Sequence, residues 1–418
     1  MATLTVSGLS KSYGKKQALV ELDLKITDGE FFVILGPSGA GKTTTLKSIA
    51  GLQEIDSGSI SIAGVDMTGV EPYRRNVAMA FESYALYPQK TVFENLASPL
   101  RSGRTGRYSA QLQQERIDAV TTTLGIDQLQ QRLPRELSNG QRQRVALGRV
   151  LVRPADLYLL DEPLSHLDAK LRASMRAELK RLGQMSNTTT MYVTHDYQEA
   201  LSLGDRIGVL RAGRLVQVGT RSEIWLQPAD TFVARSLGQP EMNIVDAEIV
   251  DGALVSLGGA LALPVPPGLD LGERRRLRLG LRPGDLHAGG RPAHPDGAKL
   301  TIEGQVGLAE RLGRQIELSV TVGDGTLIAL SDGAGALPEG APVTLTIPTR
   351  SVHVFAGTDD PTQDTIRLGS AAGPVGDDIR AAGPDTSPGT SATPPGAGGA
   401  PPMPVAPGPT LGSEDRNA

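Results

Sequence analysis

Hydrophobic and polar positions change rhythm several times along this chain. Residues 3–8 and 19–26 alternate apolar with polar, the period-2 pattern of half-buried strands in an antiparallel layer. Phe31-Phe32-Val33-Ile34-Leu35 drops the alternation for an unbroken apolar run, and Leu157-Tyr158-Leu159-Leu160 and Met191-Tyr192-Val193 repeat it. Such runs suit strands covered on both faces. Val77-Ala78-Met79-Ala80-Phe81 is also apolar on both faces and is expected in the middle of that sheet, while residues 58–64 read as a further short strand. From about 89 to 150 the period lengthens. Leu112, Ile117, Val120 and Leu124 recur at near-helical spacing with Gly125 as the stop, and residues 142–152 form a second helix. Leu171, Met175, Leu179 and Leu182 make the apolar stripe of a third, with Arg172, Arg176 and Lys180 expected on solvated faces.

Beyond about 240 the helical period stops. Residues 244–250, 254–257, 276–281, 299–308, 315–322, 326–330 and 343–347 read as short strands punctuated by Gly, Pro and Asp, which predicts a small β-barrel. Residues 370–418 are rich in Pro, Gly, Ala, Ser and Thr with no apolar period. They bury too little to offset chain entropy and are expected to be a disordered, solvated tail, with PxxP-type recognition as the alternative.

Length and charge change little. At 418 residues the chain suggests two or three domains, and a net charge of -4 gives no case for nucleic acid. No apolar run approaches the roughly 20 residues that span a bilayer, and the N-terminus lacks a secretory pattern. The lack of cysteine excludes disulfides and thiolate metal sites and fits a cytoplasmic chain.

The chemistry concentrates where the apolar runs end. After Leu35 comes Gly36-Pro37-Ser38-Gly39-Ala40-Gly41-Lys42-Thr43-Thr44, which fits G-x-x-x-x-G-K-[ST], and residues 44–50 read as the first turns of a helix. Glycines let successive N–H groups point inward around a polyphosphate, and the helix N-terminus adds its dipole. Lys42 is placed for the β/γ-phosphates and the Thr43 hydroxyl for Mg²⁺. The 157–160 run ends in Asp161-Glu162, which a strand delivers to the ligand-binding edge of an α/β sheet. Asp161 suits Mg²⁺, and Glu162 suits polarising an attacking water. The strand ending at Phe81 leads to Glu82, placed to face a bound cation. Tyr84, Leu86 and Tyr87, just beyond, are too apolar for a solvated loop, so they either pack locally or offer a partner surface. Strand 191–194 ends in His195, beside the phosphates. Tyr13 is an aromatic in the loop 11–14 that either stacks on adenine or binds nothing. Ser138, with Gln141 three residues on, reads as a capping box and by itself requires only a capped helix.

Taken in order over residues 1–235, these segments resemble the ATP-binding subunits of ABC transporters. Tyr13 falls at the A-loop, 36–44 at Walker A, 82–88 at the Q-loop and 138–142 at the signature. Residues 157–162 match Walker B, 165–168 the D-loop with Asp168, and His195 the switch histidine. Ser-Tyr-Ala-Leu-Tyr-Pro (83–88), Arg-Val-Ala-Leu-Gly-Arg (144–149) and Leu-Asp-Ala-Lys-Leu-Arg (167–172) look most like the carbohydrate and polyol importer subgroup, which includes the maltose and glycerol 3-phosphate types. The resemblance implies an α/β fold: a P-loop ABC ATPase domain over 1–238, with a RecA-like core, an antiparallel β layer and a helical subdomain at about 89–155. An OB-like β-barrel regulatory domain over 239–368 and the tail 369–418 come after it. Leu279-Gly280-Leu281-Arg282-Pro283-Gly284-Asp285-Leu286 and Val352-His353-Val354-Phe355 are similar to segments of that regulatory domain.

The same resemblance implies a sandwich dimer in which Ser138, Asn139, Gly140 and Gln141 act in trans on the partner's ATP. Glu162, His195 and Lys42 are then the catalytic set, and Thr43, Glu82 and Asp161 the Mg²⁺ ligands. It further implies a homodimer, or a heterodimer with a related ATPase, peripheral on the cytoplasmic face of the membrane and working with two transmembrane permease subunits and a solute-binding protein. Two positions depart from the family pattern: Glu82 stands where Gln is usual, and Asn139 where Gly is usual. They leave open a catalytically weakened subunit. A soluble ABC ATPase acting on DNA or the ribosome would carry a coiled-coil insertion or a second phosphate loop, and neither is seen in the sequence.

Overall fold

The computed structural model describes residues 2–81, 86–101, 108–165, 167–186, 188–266, 268–289, 298–313, 315–332 and 337–371. Glu82, Tyr84, His166, the Leu182 side chain and the tail from 372 onward lie outside the described residues. In chain order the first half runs β1 (Leu4–Tyr13), β2 (Lys16–Ile26), β3 (Phe31–Leu35), α1 (Lys42–Ala50), β4 (Ser57–Ile62), β5 (Val65–Asp66), β6 (Val77–Ala80), α2 (Val92–Ala97), α3 (Ala110–Thr123) and α4 (Asn139–Leu151). It continues with β7 (Leu157–Asp161), α5 (Ala169–Ser186), β8 (Thr190–Thr194), α6 (Tyr197–Leu203), β9 (Arg206–Arg211), β10 (Arg214–Thr220), α7 (Arg221–Leu226) and α8 (Thr231–Ser236).

The apolar runs become a sheet of order β10-β9-β3-β8-β7-β6, parallel except for β10. Its faces are sorted by alternation. Phe32, Ile34, Leu157, Leu159, Met191 and Val193 share one core with Leu46 and Ile49 of α1 and with the antiparallel layer β2-β1-β4-β5. Val33, Leu35, Leu160 and Tyr192 face the other, with Leu96, Ile117 and Val145 from the helices. Residues buried on both faces have no need to alternate, hence the unbroken runs. β6 corrects one expectation: it is an edge strand, not a middle one. Its run is apolar because Val77 and Met79 pack on the first core while Ala78 and Ala80 pack on the second. Position in the ladder and coverage of the faces are separate matters. A second correction concerns residues 11–13, which continue β1 instead of forming a loop, so Tyr13 pairs with Lys16 across the turn at Gly14-Lys15.

The later part is all-β, as expected, and adds β11 (Asn243–Val250), β12 (Ala253–Ser256), β13 (Leu261–Pro264), β14 (Arg276–Leu281), β15 (His287–Ala288), β16 (Lys299–Leu312), β17 (Gln315–Val322), β18 (Gly325–Asp332), β19 (Pro342–Pro348), β20 (Val352–Ala356) and β21 (Arg367–Ser370). They form two antiparallel sheets, β13-β12-β11-β14-β20-β21 and β15-β19-β16-β17-β18, around one shared core. The chain then turns back. Residues 364–367 lie along α8: the Thr231 N–H donates to Thr365 O at 3.0 Å, and the Arg367 N–H donates to Ala229 O at 2.9 Å. Arg211 pairs with Asp364 at 2.7 Å. Arg282, buried at the end of β14, donates to Trp225 O (2.8 Å) and Leu237 O, with its guanidinium 3.9 Å from the Trp225 ring centroid.

Candidate nucleotide site

Parallel register brings the carboxyl ends of three strands level: Leu35 of β3 pairs with Thr194 of β8, and Val193 with Asp161 of β7. The loops leaving these strands therefore meet at one edge of the sheet. After β3 the loop 36–41 curls under tight constraint. A Cβ on Gly36 would stand 2.5 Å from Leu210 O; one on Gly41, whose φ is 110°, would stand 2.5 Å from Ala18 O. Only glycine fits both places. Pro37, Ser38 and Gly39 form the exposed crest, and Ala40 is buried. α1 begins at Lys42, with Thr43 and Thr44 in its first turn and no acidic side chain there. Its open N–H groups face the loop and suit an anion.

Lys42 is buried, yet its ammonium finds Gly36 O at 2.9 Å, Pro37 O at 3.1 Å and the Glu162 carboxylate at 3.3 Å. The other oxygen of Glu162 lies 2.8 Å from His195 Nδ1. The Glu162 carboxylate is thus held between a lysine and an imidazole. Its backbone has φ 43°, the left-handed region that costs a non-glycine residue about 1 kcal/mol or more. The Glu162 N–H donates to Val193 O at 3.1 Å, and Ser165 Oγ donates to Glu162 O at 2.9 Å, pinning that conformation. Thr43 Oγ1 donates to Asp161 Oδ1 at 3.1 Å, and Asp161 is buried. A small polar cleft is lined by Glu162 and His195 together with Ser165, Arg172, Thr194, Asp196 and Glu199.

Lys42, Thr43, Asp161, Glu162 and His195 therefore converge as the strand-end argument required. Other residues named from sequence stand apart. Tyr13 is 47% exposed and its hydroxyl donates to Gln53 at 3.0 Å. Ser138 and Gln141 do close a capping box on α4, each side chain bonded to the other's N–H at 3.3 and 2.9 Å. Asn139 Oδ1 accepts from Arg142 at 2.7 Å, and a Cβ on Gly140 would meet Leu167 and Leu171 at 3.3 and 3.4 Å. Asp168 caps α5, accepting the Leu171 N–H at 2.9 Å. Leu86 packs on the helical core, while Tyr87 is half-exposed with Lys90 and Arg149 over its ring.

Sequence reading missed or misplaced four residues. Arg172 is not a solvated cation: it bonds Leu167 O at 3.1 Å and faces Asp196 and Glu199. Lys180, also expected on a solvated face, donates to Ser202 O at 3.1 Å. Glu199 is buried, accepting from Tyr192 OH (2.8 Å) and Thr194 Oγ1 (2.7 Å); burial pushes its carboxyl up, against those hydrogen bonds. Gln143 of α4, also buried, donates to Pro163 O. Their partners are backbone carbonyls and side chains brought close by the fold, which leave no local pattern.

For a divalent cation the donors fit. Thr43 and Asp161 offer hard oxygen ligands, and Mg²⁺ is commonly held by one or two carboxylates with substrate phosphates completing its shell. Among the described residues no cluster of three or more His, Cys, Asp or Glu is found.

A phosphate loop, strand-end acids and a histidine in contact with one of them, on a mainly parallel sheet, define a P-loop ATPase. The comparisons narrow this. Residues 19–165 match the ABC transporter family, and residues 279–355 match the TOBE domain. Trehalose/maltose import ATP-binding protein MalK of Thermococcus litoralis is 41% identical over 370 residues, spanning 86% of this chain and 98% of that protein. sn-Glycerol-3-phosphate import ATP-binding protein UgpC of Cereibacter sphaeroides is 43% identical over 356 residues, spanning 85% and 98% respectively. The UgpC of Chromobacterium violaceum is 40% identical over 376 residues, spanning 89% and 98%. The chain belongs to the ABC transporter ATP-binding subunits of the MalK/UgpC type, ATPases that power transport. Among the described residues no helix is long and apolar enough to cross a membrane.

Proposed function

We propose that this chain hydrolyses ATP at the cytoplasmic face of the membrane to drive import of a sugar, polyol or glycerol-phosphate-like solute. Import would run through two separate transmembrane permease subunits fed by a solute-binding protein. The solute class rests on relatives named for trehalose/maltose and glycerol 3-phosphate import. The observation that carries the catalytic reading is the Glu162 carboxylate, set between Lys42 and His195 beside the phosphate loop. In this reading ATP lies along residues 36–44, and Lys42 exchanges its carbonyl and Glu162 contacts for the β/γ-phosphates. That exchange frees Glu162 to take a proton from the attacking water, and His195 contacts the γ-phosphate. Thr43 and Asp161, with Glu82, would hold Mg²⁺, which supplies charge neutralisation on the phosphates. Tyr13 supports the adenine.

Ser138, Asn139, Gly140 and Gln141 then act on the ATP of a partner, either a second copy or a related ATPase. Their support is the capped α4 N-terminus, which offers backbone N–H groups to an anion. Asp168 belongs to the same closing surface. The catalytic domain extends over about 1–238 and the regulatory one over 239–368.

Glu162→Gln tests this in the assembled transporter. Turnover should fall about 100-fold or more while ATP binding persists. A variant that hydrolyses ATP at the wild-type rate removes Glu162 from the role of base.

A further inference from the structure

Glu162 and His195 come after two different strands, and their 2.8 Å contact is no stronger than whatever holds the two adjoining loops in register. One side chain touches both loops from behind. Arg172, in the first turns of α5, is part of the cleft lining. Its Nη2 faces Leu167 O at 3.1 Å and Ser165 O at 3.5 Å, both in the loop after Glu162. Its Nη1 faces Asp196 at 3.6 Å and its Nε faces Glu199 at 4.0 Å, both in the segment after His195. Glu199 is in turn fixed by Tyr192 OH and Thr194 Oγ1 at the end of β8. Asp196, one residue past His195, caps α6 through the Gln198 N–H at 2.7 Å.

We propose that Arg172 and Glu199 are a positioning pair for ATP hydrolysis, clamping the loop after Glu162 to the loop after His195 so that the two catalytic side chains stay aligned. Neither touches the nucleotide site directly; each acts through Glu162 and His195. The planar fork of arginine suits this work, because it bonds the Leu167 carbonyl while its charge lies within 4.0 Å of both carboxylates, a span a lysine ammonium does not offer. Small misalignment of reacting groups is costly in rate, and an ångström is enough for about 100-fold. The inference rests on the ATPase reading above.

The test is steady-state ATP hydrolysis by the intact transporter complex carrying Arg172→Met, Arg172→Lys, Glu199→Gln or the Arg172→Met/Glu199→Gln pair, with nucleotide binding measured in parallel. Expected for Arg172→Met is a fall in kcat of about tenfold or more with KM for ATP within about threefold. Arg172→Lys should recover part of that loss by restoring charge opposite Asp196 and Glu199. The double variant should be no slower than the worse single one, since both break the same clamp. If Arg172→Met does not assemble, Arg172→Lys and Glu199→Gln carry the test by the same split between kcat and KM. Wild-type kcat in the variants, a Lys variant no better than Met, losses that multiply, or a KM that rises as far as kcat falls overturns the clamp. Wild-type complex that hydrolyses no ATP overturns the ATPase reading itself.

Discussion

His353 should make the β domain acid-sensitive at a pH where most proteins are indifferent. It sits on β20 opposite Gly280 of β14, buried, with its ring 6.2 Å from that of Phe355. Arg367 Nε faces its Nδ1 at 3.4 Å, so the ring accepts there and carries its proton on the other nitrogen. Burial first, and then the Arg282 and Arg367 guanidinium charges, push its pKa down to about 3. An unfolded histidine titrates near 6.5, so the unfolded chain takes up the proton first. A depressed folded pKa means full stability above about pH 6.5 and progressive loss as pH falls toward 3. At pH 5 that linkage amounts to about 2 kcal/mol. The perturbation is His353→Asn, which keeps an acceptor near Arg367 and removes the titration. The assay is urea denaturation of the purified chain from pH 7.5 to 5. It can be followed by Trp225, the one tryptophan in the sequence, which lies against Arg282. Asn will lower stability throughout because it fills less space, so the slopes are compared, not the values. Wild type should lose about 2 kcal/mol more than the variant over that range. Parallel curves would show that His353 is not held neutral and would refute the reasoning.

The geometry fixes three further outcomes. Gly41→Ala forces a Cβ against Ala18 O at φ 110°, and should abolish high-affinity nucleotide binding and cost about 2 kcal/mol or more in a melt. Ser138→Ala removes the α4 cap and should lower stability by about 1 kcal/mol, read by chemical denaturation. Arg282→Met leaves Leu237 O and Trp225 O without this donor and should cost about 3 kcal/mol, with a shift in Trp225 emission already present in the folded state.

β3, β7 and β8 were legible because coverage on both faces writes itself as unbroken apolar runs, and the catalytic acids because they end one of those runs, whereas β9 and β10, with arginines and glycines among their apolar residues, were not named. β20, with residues 352–355, was visible only through family likeness. The edge position of β6 was hidden, since Val77 to Ala80 report what covers a strand's faces and not what neighbours it laterally. β13 and β21 are four-residue strands interrupted by Pro or Gly, too short for a period to develop. Arg172 was misread because helical spacing alone put it on an outer face, while its actual partners are carbonyls of the loop before its own helix and acids more than twenty residues later.

The stretch 364–367 that returns along α8 has a mechanical corollary. The polypeptide leaves the first half near Gly238, touches it again through backbone hydrogen bonds at Thr365 and Arg367, and rejoins the β sheets as β21. The Arg211–Asp364 pair and the Arg282 bonds to Trp225 O and Leu237 O reinforce that contact. Displacing the β sheets therefore means breaking the Thr231–Thr365 and Ala229–Arg367 bonds or carrying the backbone beside α8 along.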